Sequence, residues 1–468
     1  MKDYLKILKQ EIPDYCEITA CEQVPQGDLS SLPGMPVRDV PEHIRVCVTA
    51  RPEPGSNIRI ELWMPVTDWN GELVGVGNGG AAGIILPLML VGPMRLGFSV
   101  VTTDLGTSAG PDCGIGNEAV WKDFGYRATH LMTLFAKLAV ELYYDRPARY
   151  AFFMGGSTGG QQAFSEMQRY PEDYDGILAC APAYDRVNLH LAFLHDWQAL
   201  NAPGVKAVTA DDEKQIMQAF LEKCANEGGR QGEDGFFYRP DNIQVTRDVF
   251  KGTGLSEPQI EALMKVYEGC KGIYEPTLTP GSETSGFGIA HRCERENFAQ
   301  GYFYIFRWVL GADFDFEQFD FDKDGETVRA ALEAALSATD TNLKPFRDRG
   351  GKLLLIHGTA DPIIPMTSSI RYYEAIREQM GDPRDFFRLF LVPGMAHLSG
   401  GPGLQDLFYG LPATPKDEKH LGLLALKAWV EDGKAPDELY PVAFKADDPL
   451  SSFKPDGVAW ERKINPYS

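Results

Sequence analysis

Apolar side chains fall on every second position in two stretches: Ile44, Val46 and Val48, then Ile58, Ile60, Leu62 and Met64. A period of two buries one face of a strand, so these stretches predict a pair of half-buried strands. Pro52-Glu53-Pro54-Gly55-Ser56 between them has the composition of a turn. Short continuous apolar runs follow at 72–76, 98–102, 150–154, 175–182, 352–356 and 388–392. Runs of this length suit strands covered on both faces. The period changes at 125–142, where Leu131, Leu134, Phe135, Leu138 and Leu142 share one face of a helix. Another helix is expected directly behind residue 159. Strands alternating with helices predict an α/β fold with a mostly parallel sheet.

The rhythm breaks in the middle of the chain. Residues 184–345 hold helical pieces at 211–224 and 257–267 and aromatic clusters such as Tyr302-Phe303-Tyr304-Ile305-Phe306-Arg307-Trp308, with few core-strand runs. The expected organisation is an α/β domain in two parts, 1–183 and 346–468, with an inserted lid domain at 184–345. A net charge of −21 over 468 residues disfavours nucleic acid and anionic membrane as partners. No segment approaches the roughly 18 uninterrupted apolar residues of a membrane helix, and residues 1–10 lack the apolar run of a secretory leader. The expectation is a cytoplasmic protein. Eight cysteines without a CxxC pair give no zinc signature and are expected as free thiols. Nothing in the chain speaks to oligomeric state.

The chemistry starts at Gly155-Gly156-Ser157-Thr158-Gly159, between an apolar strand run and a helix start. Strand, G-x-S-x-G, helix is the context of a nucleophile elbow, where glycines let strand and helix approach while the serine Oγ stays exposed. The strand run 352–356 leads into Asp361, and the run 388–392 leads into His397. Ser, Asp, His in that chain order, each beyond a core strand, is the order of an α/β-hydrolase triad. In that arrangement Ser157 attacks an acyl carbon, His397 carries the proton and Asp361 orients the imidazole. The oxyanion donors would be the N–H groups of Thr158 and of the glycine loop 77–83, with Gly80 preferred over Gly79. That loop lacks the Lys-Ser/Thr ending of a phosphate-binding loop. Blander readings exist for each residue: Asp361 before Pro362 can be a turn residue, and His397 a packed loop histidine. His357 reads as structural, His420 as part of a solvated charged face, and His130 precedes the serine and breaks the order.

These stretches together resemble the tannase/feruloyl esterase family, which includes the mono(2-hydroxyethyl) terephthalate hydrolase. The resemblance is carried by Trp69-Asn70-Gly71, Gly77-Asn78-Gly79-Gly80, Asp123-Phe124-Gly125-Tyr126-Arg127-Ala128, Gly155 to Gly160, Arg169-Tyr170-Pro171-Glu172-Asp173-Tyr174-Asp175-Gly176, His357-Gly358 with Asp361, and Val392-Pro393-Gly394-Met395 with His397. It implies an α/β-hydrolase with a large lid that hydrolyses esters of aromatic acids, a triad of Ser157, Asp361 and His397, and oxyanion donors at Gly80 and Thr158. Family members mostly carry a cysteine before the nucleophile and another after the histidine, joined as a disulfide. Gly156 and Leu398 stand there in this chain, so the triad is expected to be held by packing and to survive reductant. The family's calcium loop in the lid corresponds to 224–235, where Arg230 replaces an expected acid. A cation at that position opposes calcium, and neither metal nor cofactor is expected.

Aromatic lid residues are the candidates for a pocket that takes a planar acid. Trp197, Phe306 and Trp308 are the preferred ones, followed by Phe193, Tyr302 and Phe303, with His190 and His195 as partners for phenolic hydroxyls. Two rivals accompany this reading. One is a general short-chain or aryl carboxylesterase, and the other a non-catalytic binding protein on a hydrolase fold.

Overall fold

The alternation at 44–64 is realised as adjacent antiparallel strands on one side of a nine-stranded sheet. The computed structural model describes residues 2–32 and 35–468. In chain order the sheet strands are β1 (Cys16–Val24), β2 (His43–Ala50), β3 (Ile58–Pro65), β4 (Glu72–Val76), β5 (Ser99–Thr103), β6 (Tyr150–Ser157), β7 (Gly176–Pro182), β8 (Lys352–Gly358) and β9 (Phe387–Val392). Their order across the sheet is β1-β2-β3-β5-β4-β6-β7-β8-β9. Pairing is antiparallel from β1 to β5 and parallel from β5 to β9. The parallel centre carries the continuous apolar runs because both of its faces are covered. Leu73, Val74, Phe152, Phe153, Ile177, Leu178, Leu354 and Leu355 are all fully buried there.

β1 has no counterpart in the apolar pattern of the sequence. It is the edge strand, its residues run half-buried to exposed, and its sequence CEITACEQV therefore interrupts its apolar positions with Glu17, Thr19, Glu22 and Gln23. The helix expected over 125–142 is the α-helix Ala128–Tyr144, led in by a π-helical turn at Asp123–Arg127. The helix expected after residue 159 is Thr158–Arg169.

Between β7 and β8 the chain contributes no strand to the sheet. Its helices fall into two groups by what they bury. Ile216, Phe220, Phe250, Leu263 and Val266 form a separate small core with Leu200 and Leu278. Phe193, Trp197, Phe298, Phe303, Phe306 and Leu332 instead join the core that contains the sheet. The helix Arg186–Leu200 is buried on nearly every side. It lacks the two-faced pattern of a surface helix for that reason, and periodicity does not reveal it.

The inner lid helix Lys323–Leu336 reaches the π-helical turn where Gly125 lies. A Cβ on Gly125 would stand 1.9 Å from the Ala335 carbonyl oxygen, while Gln161 Nε2 donates to the Gly125 carbonyl at 2.8 Å. Gly125 thus keeps lid, turn and elbow helix in contact. Among the described residues no helix is long and apolar enough to cross a membrane. Gly125→Ala is expected to lower stability by about 1–3 kcal/mol, the usual cost of overpacking a closed contact. Urea denaturation checks this, and an unchanged midpoint would show that the lid helix is free to move away.

Candidate active site

β6 passes into the helix Thr158–Arg169 at Ser157, whose backbone has φ 58° and ψ −117°. A serine rarely adopts a positive φ, and such strain is kept where the surroundings over-determine it. The surroundings are glycines. A Cβ on Gly155 would meet the Gly159 carbonyl oxygen at 2.2 Å, and one on Gly160 would meet Pro182 Cα at 2.5 Å. A Cβ on Gly77 would meet Gly159 Cα at 2.6 Å, so the 77–80 loop lies directly on the elbow.

Hydrogen bonds fix the loop there. The Gly159 N–H donates to the Asn78 carbonyl at 2.7 Å, and the Asn78 N–H donates to Gln162 Oε1 at 2.8 Å. Asn78 Nδ2 reaches the Thr103 carbonyl at 2.7 Å. Thr158 Oγ1 donates to the Gly80 carbonyl at 2.7 Å, tying together the two residues expected to supply oxyanion donors. Gly80 is exposed and has φ +55°. Neither its N–H nor that of Thr158 is spent on a backbone hydrogen bond of the loop.

Asp361 and His397 follow β8 and β9 and meet each other. His397 Nδ1 lies 2.8 Å from Asp361 Oδ2, while Asp361 Oδ1 accepts the N–H groups of Ile363 and Ile364 at 2.8 and 3.0 Å. Both oxygens of the acid are thereby fixed, and Nε2 of His397 is left without a protein partner among the described residues. Burial alone would raise the Asp361 carboxyl. The His397 imidazole, and hydrogen bonding from His357 and His397, outweigh burial and hold it well below the usual carboxylate range. The other histidines lie as the sequence suggests. His357 is buried with Nδ1 on Ser369 Oγ and Nε2 on the Ile364 carbonyl. His420 bridges Asp417 and Glu461 at the surface, and His130 pairs with Asp173.

The segments that carry Ser157 and His397 meet through the neighbours of these two residues. A Cβ on Gly156 would meet Leu398 Cδ2 at 2.6 Å and Phe408 Cε1 at 3.2 Å. The Leu398 side chain therefore fills the space over Gly156, and Leu398 itself takes a positive φ of 68°. None of the eight cysteines is joined in a disulfide.

With this geometry in view, the comparisons with known proteins are consistent. The chain matches the profile described as "Tannase and feruloyl esterase" over residues 42–294 and 290–454. It belongs to the tannase and feruloyl esterase family. An uncharacterized esterase of Xanthomonas campestris pv. campestris is 30% identical over 478 residues, spanning 92% of this chain and 83% of the relative. Feruloyl esterase B of Aspergillus niger is 29% identical over 447 residues, spanning 90% and 83%. The crystal structure of an esterase from Aspergillus oryzae superposes with a TM-score of 0.88 at 25% identity, covering 98% of this chain and 94% of that one. The architecture is that of an α/β-hydrolase.

The aromatic lid residues depart from the pocket expectation. Trp197, Phe306 and Trp308 are at most 5% exposed. Trp197 packs on Phe303 and donates to the Arg295 carbonyl. Phe306 lies among Phe303, Phe316 and Phe319, and Trp308 sits on Phe124 and donates to the Pro111 carbonyl. Their large apolar area is packed into the core that also contains the sheet. Phe193, Tyr302 and Phe303 belong to the same aromatic cluster. His190 is buried with Nδ1 on the Tyr302 carbonyl, and His195 lies beside Asp196.

The oxygens of the family's calcium loop are already engaged in this chain. Arg230 Nε donates to the Asp234 carbonyl at 2.5 Å and Nη1 to the Leu221 carbonyl at 3.3 Å. Asp234 Oδ2 accepts from Tyr238 Oη and from Arg462 Nη1, at 3.0 and 2.9 Å. Glu227 and Glu233 are exposed. A calcium ion needs six to eight converging oxygens, and here the Asp234 carbonyl and Oδ2 are already engaged by Arg230 and Arg462.

One residue at the site has no signal in the sequence. Arg186 touches both Gly80 and Thr158, and only the fold brings it there. The depressed Asp361 carboxyl has a consequence for acid stability. Its folded-state value lies below its unfolded one, so its stabilising contribution is complete above the ordinary range near ~3.9 and is lost as pH falls below it. The stability difference between the wild type and Asp361→Asn is expected to shrink as pH falls below about 4. A difference that does not shrink there, read by urea titration, contradicts the assignment.

Proposed function

We propose that this protein is a serine esterase that hydrolyses carboxylic esters of aromatic or phenolic acids through an acyl-enzyme on Ser157. The observations that carry the reading are the Asp361–His397 hydrogen bond at 2.8 Å and a serine strained to φ 58° at a strand-to-helix elbow. Ser157 Oγ bonds to the ester carbon and its proton passes to His397 Nε2. The carbonyl oxygen becomes an oxyanion between the N–H groups of Gly80 and Thr158. Collapse breaks the bond to the alcohol, which leaves with the proton from His397. Water then attacks the acyl carbon, gives its proton to His397, and releases the acid and a free Ser157. The low carboxyl of Asp361 keeps it ionised throughout, so that it stabilises the imidazolium that forms.

The aromatic acyl half is inferred from family membership and from relatives named feruloyl esterase B. A panel of feruloyl, galloyl, terephthaloyl and acetyl esters tests it through kcat/KM. The aromatic acyl esters are expected to lead, and Ser157→Ala to lose about 10⁴-fold or more of turnover. Preference for acetyl esters alone would transfer the protein to the general carboxylesterases. No Ser157-dependent turnover of any ester would leave the binding-protein reading.

The reaction as written needs no metal or cofactor. We propose that the loop 224–235 is held by Arg230 and Arg462 in place of calcium, and that eight cysteines without a disulfide suit a reducing compartment such as the cytoplasm. EGTA is expected to leave the melting temperature and the activity unchanged. Arg230→Ala is expected to cost about 1–3 kcal/mol, the range for hydrogen bonds from a charged donor, with no rescue by added calcium. A chelator-induced drop in melting temperature that calcium restores would contradict this.

A further inference from the structure

Arg186 begins the helix Arg186–Leu200 and is 3% exposed. Its Nη1 donates to Thr158 Oγ1 at 2.9 Å and its Nη2 to the Gly80 carbonyl at 3.1 Å. Nη2 also donates to the Tyr304 hydroxyl, from the helix Tyr304–Leu310. The guanidinium carbon lies 5.1 Å from the centre of the Phe124 ring and 5.9 Å from that of Tyr304. Nε is buried without a partner. Among the described residues, no carboxylate forms an ion pair with this group; its partners are a carbonyl, two hydroxyls and two rings.

A buried guanidinium without a counter-charge is costly, because a low-dielectric interior amplifies the loss of hydration. Neutral acceptors and ring faces recover part of that cost. The charge is felt nearby: burial first, and then Arg186, hold the His190 imidazole well below its usual range, so it adds no second cation. The reaction proposed for Ser157 generates one negative charge, on the oxyanion between Gly80 and Thr158. Those are the two residues that Arg186 holds. A fixed positive charge aimed at the place where negative charge develops is worth most in a site that excludes water.

We infer that Arg186 is the positioning residue and fixed counter-charge of the oxyanion hole, carried into the site by the lid. It acts through Gly80 and Thr158. Its two arms clamp the Gly80 carbonyl and the Thr158 hydroxyl, which sets the geometry of the adjacent N–H donors. The insertion thereby supplies part of the electrostatics of the reaction as well as a cover for the site. The inference rests on the serine-esterase reading and adds a residue to it.

The test compares Arg186→Met and Arg186→Lys with the wild type on an aromatic ester. For Arg186→Met, kcat is expected to fall about 10–100-fold while KM stays within about twofold, since the lost interaction belongs to the transition state. Affinity for a phenylboronic acid, which forms a tetrahedral anionic adduct with the serine, should weaken by the same factor. Inhibition by the free aromatic acid should not change. The lysine variant keeps the charge without the fork and should fall between the two. The melting temperature of Arg186→Met should be equal to that of the wild type or higher, because an apolar side chain replaces an unpaired buried charge. Wild-type kcat in Arg186→Met would overturn the inference, as would a loss shared equally by kcat, product binding and melting temperature. If the methionine variant does not fold, Thr158→Ala cuts one arm of the clamp and keeps the N–H; it should lower kcat about threefold to tenfold by removing the hydrogen bonds of Thr158 Oγ1 to the Gly80 carbonyl and from Arg186, and an unchanged kcat would likewise overturn the inference. Failure of the esterase reading looks different: the wild type itself would show no Ser157-dependent turnover.

Discussion

Gly77 and Gly159 touch backbone to backbone, and the rest of the site depends on that contact. A methyl group on either would push the two segments apart. A Cβ on Gly77 would fall 2.6 Å from Gly159 Cα, and one on Gly159 would fall 3.0 Å from the Asn78 carbonyl oxygen. The approach lets the Gly159 N–H bond to Asn78 and brings the Gly80 carbonyl within reach of Thr158. The Ser157 elbow and the 77–80 loop are thereby tied together by hydrogen bonds. The positive φ of Ser157 is tolerable because the hydrogen bonds and glycine contacts around it leave the chain no other course.

The other half of the site is assembled by side chains. Asp361 is saturated by two backbone N–H groups and His397, so imidazole orientation follows from the turn at 361–364. Leu398 packs over Gly156 and holds the histidine loop against the elbow by van der Waals contact. Helices of 184–345 share their apolar core with the sheet, and through Arg186 this segment reaches Gly80 and Thr158. Lid and sheet therefore do not act as separable layers around Ser157. The part of 184–345 with its own core around Phe220 and Leu263 still reaches the turn before Asp361, where Thr359 Oγ1 donates to the Phe237 carbonyl.

Much of this is legible in the sequence, for physical reasons that also mark where legibility stops. Central parallel strands must be apolar on both faces, so 72–76, 150–154 and 352–356 announce themselves as runs. The elbow and the 77–80 loop are legible because only glycine permits such close approach. β1 is hidden, since an edge strand half in water interrupts its apolar positions with polar ones. The helix Arg186–Leu200 is hidden for the opposite reason, being buried all round. Trp197, Phe306 and Trp308 suggest a pocket lining because aromatic clusters suit both pockets and cores, and composition alone does not separate the two. Arg186 carries no motif at all. Its meaning comes from a missing carboxylate and from two acceptors far away in the chain.

The central claim is that the strained serine at the elbow is the nucleophile. Rapid acid quench of the protein with 4-nitrophenyl ferulate, followed by peptide mapping in a mass spectrometer, tests it most directly. The account predicts a feruloyl adduct on the peptide that contains Ser157, formed in the burst phase and absent from Ser157→Ala. An adduct on another residue, or steady turnover that persists in Ser157→Ala, would contradict it.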